Sequence, residues 1–282
     1  VHDEVTHVRT IAEEISHGQQ SSKQQQLMRD IQKWLSPSDS SISQNKAFKL
    51  RHQGTGQWLL NSTFYLSWEE RLDRFIWLHG LSGCGKTVLA SSIIHRLNSA
   101  RPSRALAFFY FDVNGGGQQT VVQMLRTLLS QLCSRPSINL DRLQTLYNTC
   151  GKGTSSPSID QLSDTLKDVI SLSGQVTVVI DALDECDKPS EVISWLEDLL
   201  EANYSTLQLL VTSRSTGETG RVIDGWTRRH ELHPIQVDGV NKDISDYLRA
   251  RLFVSDEFSR WSSHKGLREM IEEKVSQQAN GM

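Results

Sequence analysis

The segment GLSGCGKT, residues 80–87, constrains the fold of this chain more than any other, because it satisfies the pattern GxxxxGK followed by Ser or Thr. An apolar run at 75–79 precedes it, and a helical pattern begins at Lys86. A glycine-rich loop between a strand and a helix presents its backbone amides, and the helix N-terminus, to an anion. The sequence therefore predicts a phosphate-binding loop at the carboxyl end of a buried strand.

Each part of this loop has a predicted role. Glycines let the backbone amides curl around phosphate oxygens, Lys86 contacts the β- and γ-phosphates, and the Thr87 hydroxyl binds Mg²⁺. The predicted nucleotide-binding residues are Gly80, Leu81, Ser82, Gly83, Cys84, Gly85, Lys86, Thr87 and Val88. A second stretch with similar letters, CGKGT at 150–154, follows no strand, so we predict a plain loop there.

A second apolar run, QVTVVI at 175–180, leads directly into a group of carboxylates. Charge at the end of a buried strand must be solvated, paired or bound to a cation. Because Mg²⁺ prefers carboxylate oxygens, we predict that Asp181 is a magnesium ligand, directly or through water, together with Thr87. Asp184 and Glu185 lie too far beyond Asp181 in the chain to occupy the same metal-binding position. One of them is predicted to orient or deprotonate the attacking water, and the sequence leaves open which.

A third apolar run, LQLLVTS at 207–213, ends in polar residues and Arg214. If this strand lies beside the acid-ended strand, its polar end is placed to sense the γ-phosphate or to position the water. Arg214 is therefore the third candidate catalytic residue, after Asp184 and Glu185. An arginine at a strand end is also commonly a solvated surface residue, and both interpretations stay open.

The order of apolar and helical patterns predicts the fold class. Near-continuous apolar strands alternate with helical stretches over 46–237, which indicates an α/β fold with a parallel sheet covered by helices on both faces. Residues 1–45 form a separate pattern, a helical N-terminal segment followed by a linker. The composition SPSDSSISQN, at 36–45, predicts that this linker is a loop.

Charge, cysteine content and hydropathy restrict the class of protein. Thirty basic and thirty-three acidic residues give a net charge of −3, so no global field favours nucleic acid or an anionic membrane. Four cysteines without a CxxC pair are typical of free thiols, and we expect a cytoplasmic chain. No apolar run approaches the roughly 18 residues that a membrane span requires. The chain begins at Val1 without an initiator Met, so we expect a fragment of a longer protein.

The three segments GLSGCGKT, VVIDALDEC and LLVTSRS, in this order, resemble the NACHT family of signal-transduction NTPases. This family belongs to the STAND class, which includes the NOD-like receptors of animals and fungi. The distinguishing detail is the small residue Ala182 directly after Asp181, with acids at 184 and 185. The segment TGQWLL, at 55–60, is similar to a segment that precedes the loop in fungal NACHT proteins.

The resemblance implies a core at 46–237 and the beginning of a helical subdomain at 238–282. It implies a five-stranded parallel sheet in which the sensor strand, 207–213, lies between the strand before the loop and the acid-ended strand. It also implies a nucleotide-dependent switch that binds ATP or ADP, or GTP in some members, with magnesium. Such proteins hydrolyse slowly, oligomerise on activation and signal through effector and repeat domains in innate immunity or self/non-self recognition.

Two other functions remain as alternatives. A remodelling ATPase of the AAA+ type would hydrolyse rapidly, but classical members carry the glutamate directly after the aspartate. A P-loop kinase or other transferase would need an acceptor pocket and an arginine-bearing lid, and no pattern in the chain indicates either.

Overall fold

The structure is a computed structural model, and it describes residues 22, 24–101, 104–112, 120–135, 138, 140–202, 204–226, 232–234, 237–254 and 265–279. The helical pattern predicted within residues 1–21 lies outside the described residues. Helices and strands alternate through most of the described chain. The helices are α1 (24–35), α2 (Ser40–Leu50), α3 (Gln57–Leu60), α4 (Thr63–Glu69), α5 (Lys86–Ala100), α6 (Val121–Cys133), α7 (Asp141–Thr149), α8 (Ile159–Leu172), α9 (Pro189–Glu201), α10 (Gly217–Trp226), α11 (Val237–Arg249) and α12 (Lys265–Ala279). The strands are β1 (Phe75–His79), β2 (Ala105–Tyr110), β3 (Val176–Asp181), β4 (Leu207–Ser213) and β5 (Leu232–Pro234).

The strands form one parallel sheet in the order β2-β3-β4-β1-β5. This confirms the predicted α/β class with a parallel sheet flanked by helices. The resemblance implied five strands; four strands make up the body of the sheet, and β5 is a three-residue addition at the edge of β1. The sensor strand β4 pairs with both β1 and β3, so the implied position of that strand is confirmed.

Strand β1 contributes side chains to the hydrophobic clusters on both faces of the sheet. Its alternate side chains enter two different hydrophobic clusters: Phe75 and Trp77 join one, while Ile76 and Leu78 join the other. Successive side chains of a strand point to opposite faces, so each cluster lies on one side of the sheet. Helices α6, α8 and α9 supply the first cluster, and α4 and α5 supply the second.

The prediction of a loop at 36–45 is wrong for the second half of that range, because α2 begins at Ser40. The serines and aspartate that suggested a loop act instead as a helix start: the Asp39 side chain accepts a hydrogen bond from the Ser41 amide at 3.0 Å. Helix α2 then packs on α5, where Gln44 Nε2 donates to the Ser91 carbonyl at 3.0 Å. The predicted domain limit at residue 45 therefore falls inside a helix.

The second glycine-lysine stretch, 150–154, is a turn between α7 and α8, as predicted. All four cysteines are free and buried, which agrees with the predicted free thiols. None of the helices in the described part of the chain combines the length and the apolar character that a membrane crossing requires.

Candidate functional site

The loop after β1 has the backbone geometry that a phosphate site requires. Gly83 and Gly85 have φ values of 82° and 86°, in the left-handed region that glycine adopts without a steric cost. A Cβ atom added to Gly85 would meet no atom within 4 Å, so glycine is needed there for its backbone angle and not for space. Helix α5 begins at the next residue, with its free amides facing the loop.

The Lys86 side chain folds back along the loop. Its Nζ atom donates to the carbonyl oxygens of Gly80, at 3.0 Å, and Leu81, at 2.6 Å. The loop is also fixed to the neighbouring strand, because the Gly80 amide donates to the Ser213 carbonyl at 3.3 Å. The ammonium group therefore lies inside the curve of the loop, where the phosphates of a nucleotide would lie.

The two predicted metal ligands lie together. Asp181 is buried at the end of β3 and accepts hydrogen bonds from the Thr87 hydroxyl and from Thr212 Oγ1, the latter at 2.6 Å. Burial raises the pKa of Asp181 to about 6, although the hydrogen bonds from Thr212 and Thr87 and the charge of Lys86 act in the opposite direction. A carboxylate beside a threonine hydroxyl and a lysine suits a hard cation bound with a phosphate.

The turn after Asp181 separates the two acids that the sequence could not rank. Ala182 adopts a left-handed conformation, with φ 57° and ψ 46°, and a short 3₁₀ helix follows over Leu183–Glu185. This turn directs Asp184 toward β4, where its Oδ1 accepts from the Arg214 amide at 2.7 Å and its Oδ2 accepts from Arg214 Nε at 2.5 Å. Both carboxylate oxygens of Asp184 are thus engaged by one arginine.

Glu185 shares one cavity with Asp184 and reaches a second one. Its half-buried side chain lines a cavity of about 250 Å³, together with Lys86, Thr87, Asp184 and Arg214. It also lines a second cavity of about 250 Å³, between α2 and the ends of β2 and β3, to which Lys46 contributes. Of the two acids, Asp184 is the one whose two oxygens bond Arg214, and Glu185 is the one that also lines the second cavity.

Sequence reasoning missed Thr212. This residue is fully buried, and its hydroxyl joins the acid strand twice, donating to Asp181 and accepting from the Ala182 amide at 3.0 Å. Arg214, the candidate that the sequence offered at the end of this strand, keeps 42% of its side chain exposed. The polar end of the run LQLLVTS contained the signal, but only the pairing of β3 with β4 identifies the residue that faces Asp181.

A third cavity, of about 270 Å³, lies on the other side of the loop and was also missed. Its walls come from the loop itself, from α5, from the chain before α3 and from α11. Its lining includes Leu50, His52, Gly83, Val88, Asp243, Ile244 and Tyr247. It is mostly apolar with a few polar groups, which is the usual character of a small-molecule site.

The donor set fits a magnesium-bound nucleoside polyphosphate. The loop supplies amides and an ammonium group for phosphates, and Asp181 with Thr87 supplies two oxygens for the metal. Among the residues that the structure describes, no group of three His, Cys, Asp or Glu side chains could hold a metal alone. Mg²⁺ usually keeps several waters and takes one or two protein ligands plus phosphate oxygens, so Asp181 and Thr87 are enough protein ligands for it.

The parallel sheet, the glycine loop at the start of α5 and the acid-ended β3 together define a P-loop NTPase. Residues 54–214 match the family model described as Nephrocystin 3, N-terminal, which is more than half of the 282 residues. The chain belongs to this family. The predicted resemblance to NACHT-type P-loop NTPases of the fungal NOD-like receptor kind is confirmed.

The chain is similar to a curated fungal protein and to solved structures. It is 22% identical over 201 residues to vegetative incompatibility protein HET-E-1 of Podospora anserina, covering 69% of this chain and only 15% of that protein. The crystal structure of Cdc6p from Pyrobaculum aerophilum is similar with a TM-score of 0.47 and 14% identity, over 76% of this chain and 53% of that one. The Aeropyrum pernix Orc1 protein, solved in complex with DNA, has a TM-score of 0.39 and 15% identity, over 64% and 49%.

Proposed function

We propose that this chain is the nucleotide-binding part of a molecular switch, which binds a nucleoside triphosphate or diphosphate with Mg²⁺ and hydrolyses the triphosphate slowly. ATP and ADP, or GTP, would be the ligands. Nucleotide state would control the oligomerisation and signalling of a longer protein, in innate immunity or self/non-self recognition. The observation that carries the proposal is the meeting of Lys86, Thr87, Asp181 and Thr212 at the carboxyl edge of three adjacent strands.

In the proposed reaction, a water attacks the γ-phosphorus while its bond to the β–γ bridging oxygen breaks, so that the diphosphate leaves and inorganic phosphate carries the water oxygen. The protein acts mainly by positioning and by stabilising charge. Lys86 would leave the Gly80 and Leu81 carbonyls and donate to phosphate oxygens, which are stronger acceptors because they are charged. A bound Mg²⁺ would neutralise further phosphate charge at Thr87 and Asp181. Glu185 would accept a hydrogen bond from the attacking water.

The contact between Asp184 and Arg214 supports slow turnover. An arginine stabilises the transition state of phosphoryl transfer by its positive charge. Here both oxygens of Asp184 already accept hydrogen bonds from Arg214, and the paired carboxylate offsets part of that charge. We therefore assign Asp184 to holding the end of β4, and Glu185 to the water.

Calorimetry with Mg–ADP and Mg–GDP tests the binding step. Lys86→Ala should weaken affinity about 100-fold, because it removes charge-assisted hydrogen bonds to phosphate. Lys152→Ala is the matched control, since Lys152 is an exposed lysine in the second glycine-lysine stretch, and it should bind as the parent does. Equal affinities for the two variants would remove the phosphate-binding loop from the proposal.

Phosphate release measured under single-turnover conditions tests the hydrolysis step. Glu185→Gln should retain nucleotide binding and lose at least about 100-fold in rate, the effect of removing a general base. Asp187→Asn, an exposed neighbour, is the control and should be unchanged. Full activity of Glu185→Gln would contradict this assignment, and turnover in the parent far above about once per minute would favour the remodelling ATPase instead.

Light scattering tests the switch. The chain should form larger assemblies with Mg²⁺ and a non-hydrolysable triphosphate than with the diphosphate. The same mass in both states would contradict control of assembly by nucleotide within this part of the protein.

A further inference from the structure

The 270 Å³ cavity has an acidic residue in its wall that the proposed phosphate chemistry does not use. Asp243, on α11, faces this cavity together with Val88 of α5 and the apolar side chains of Ile244 and Tyr247. The phosphate loop forms the opposite end of the same cavity through Gly83 and its neighbours. A nucleotide whose phosphates occupy the loop would therefore extend its nucleoside toward Asp243.

The Asp243 carboxylate is held in a fixed orientation. Its Oδ2 atom accepts from the Gly56 amide at 2.8 Å and from Trp58 Nε1 at 3.0 Å. Helix α11 approaches Trp58 closely, because a Cβ added to Gly239 would lie 2.6 Å from the indole ring. This close packing and the two hydrogen bonds connect α11 to the chain that precedes α3.

The two oxygens of this carboxylate differ in what they can still accept. Both bonds that the described residues donate to Asp243 end on Oδ2, whereas Oδ1 receives none from the described part of the chain. A carboxylate oxygen carries about two lone-pair sites, so Oδ1 retains its full capacity to accept hydrogen bonds. Asp243 is half-buried as a residue, and a carboxylate oxygen in such a place favours a ligand that brings N–H donors, because leaving it unpaired is costly.

The purine bases present different edges to such an acceptor. Guanine carries two adjacent donors, N1–H and the N2 amino group, and one oxygen can accept from both. Adenine presents one amino group beside N1, whose lone pair repels a carboxylate. We propose that Asp243 selects the base of the bound nucleotide, favouring guanine over adenine; this inference rests on the proposed nucleotide site.

Calorimetry with the Mg²⁺ complexes of GDP, ADP and xanthosine diphosphate tests this selection. The parent chain should bind GDP at least about 10-fold more tightly than ADP, which corresponds to one hydrogen bond to a charged group. In Asp243→Asn the amide oxygen can still accept from Gly56 and Trp58, while its NH₂ group replaces Oδ1. That variant should lose about 10- to 100-fold for GDP and should gain affinity for xanthosine diphosphate, which has an oxygen at C2.

Asp246→Asn is the matched control, because Asp246 lies on the same helix, is exposed and does not line the cavity. It should keep the parent's preference. A gain for xanthosine diphosphate requires a folded site, so it also excludes unfolding as the cause of weaker GDP binding.

The outcomes separate this inference from the proposed function. Equal affinity for GDP and ADP in the parent, with no change in Asp243→Asn, would overturn base selection while leaving the nucleotide site in place. If the parent distinguishes GDP from 2′-deoxy-GDP and Asp243→Asn does not, the residue contacts the ribose and base selection is again overturned. If none of the diphosphates binds to the parent chain, both proposals are overturned.

Discussion

Replacing Thr212 by valine removes two hydrogen bonds and keeps the shape of the side chain. The Thr212 hydroxyl donates to Asp181 at 2.6 Å and accepts from the Ala182 amide at 3.0 Å, and the residue is fully buried. The variant leaves a half-buried amide unpaired, which costs at most about 1–3 kcal/mol, and removes a hydrogen bond to a charged group, worth about 1.5–3 kcal/mol. The two losses do not simply add, because both fall on one hydroxyl and its neighbours. We therefore expect a decrease of about 2–4 kcal/mol in the free energy of unfolding at pH 8.

Urea denaturation at two pH values is the assay, with the free energy taken from the midpoint and slope of each curve. The decrease should be smaller at pH 5.5, because the pKa of Asp181 is raised to about 6 by burial and the carboxyl is largely protonated below it. Thr177→Val is the matched control. Thr177 is also buried in β3, but its hydroxyl makes one long contact, 3.4 Å to Gln208, so its loss should stay below about 1 kcal/mol. Equal losses for the two variants, or no dependence on pH for Thr212→Val, would refute the reasoning.

Four further substitutions, at three positions, are tested by urea denaturation. Because burial raises the folded-state pKa of Asp181 to about 6, the free energy of unfolding should fall as pH rises from about 4 to about 6. Asp181→Asn should remove this fall and also the Mg²⁺ dependence of nucleotide binding. An unchanged pH profile in the variant would contradict the burial argument. Ala182→Val should destabilise by at least about 1 kcal/mol, since a β-branched residue is strained at φ 57°, whereas Ala182→Gly should stay within about 0.5 kcal/mol because relief of strain and chain entropy offset each other. Glu69→Gln should lower the free energy of unfolding by about 1–3 kcal/mol at pH 7, because hydrogen bonds from Arg96 lower the pKa of Glu69 below its ordinary 4.5. The difference between parent and variant should vanish as pH falls through that lowered pKa. A difference that stays constant with pH would contradict the ion pair.

The parts of the site that the sequence predicted are those formed by contiguous residues. The phosphate loop is a local structure, in which glycine spacing and the following helix are sufficient to indicate a fold and a ligand. Asp181 was predictable for a similar reason, because a carboxylate directly after an apolar strand has few stable environments. The pairing of Thr87 with Asp181 then follows from the chemistry of the metal.

The parts that could not be predicted depend on which strands and helices become neighbours. Asp184 and Glu185 are adjacent in the chain, and only the turn at Ala182 and the position of β4 direct the first toward Arg214. The start of α2 was missed because serine and aspartate are equally common in loops and at helix N-termini. The proposed role of Asp243 depends on the packing of α11 against Trp58, which lies 185 positions before Asp243, and no local pattern records that packing.

Strand β4 has a consequence for how this site tolerates substitution. It hydrogen-bonds through its backbone to β1 on one side and β3 on the other, so two inter-strand spacings, about 9.6 Å in all, separate the strand before the loop from the acid strand. That separation is set by main-chain geometry, and side chains of β4 that point into the helical layers can be exchanged for others of similar volume without altering it. An inserted or deleted residue within β4 would instead shift Thr212 and Ser213 together. The contact of Thr212 with Asp181 and the contact of Ser213 with the loop at Gly80 would then be lost at the same time.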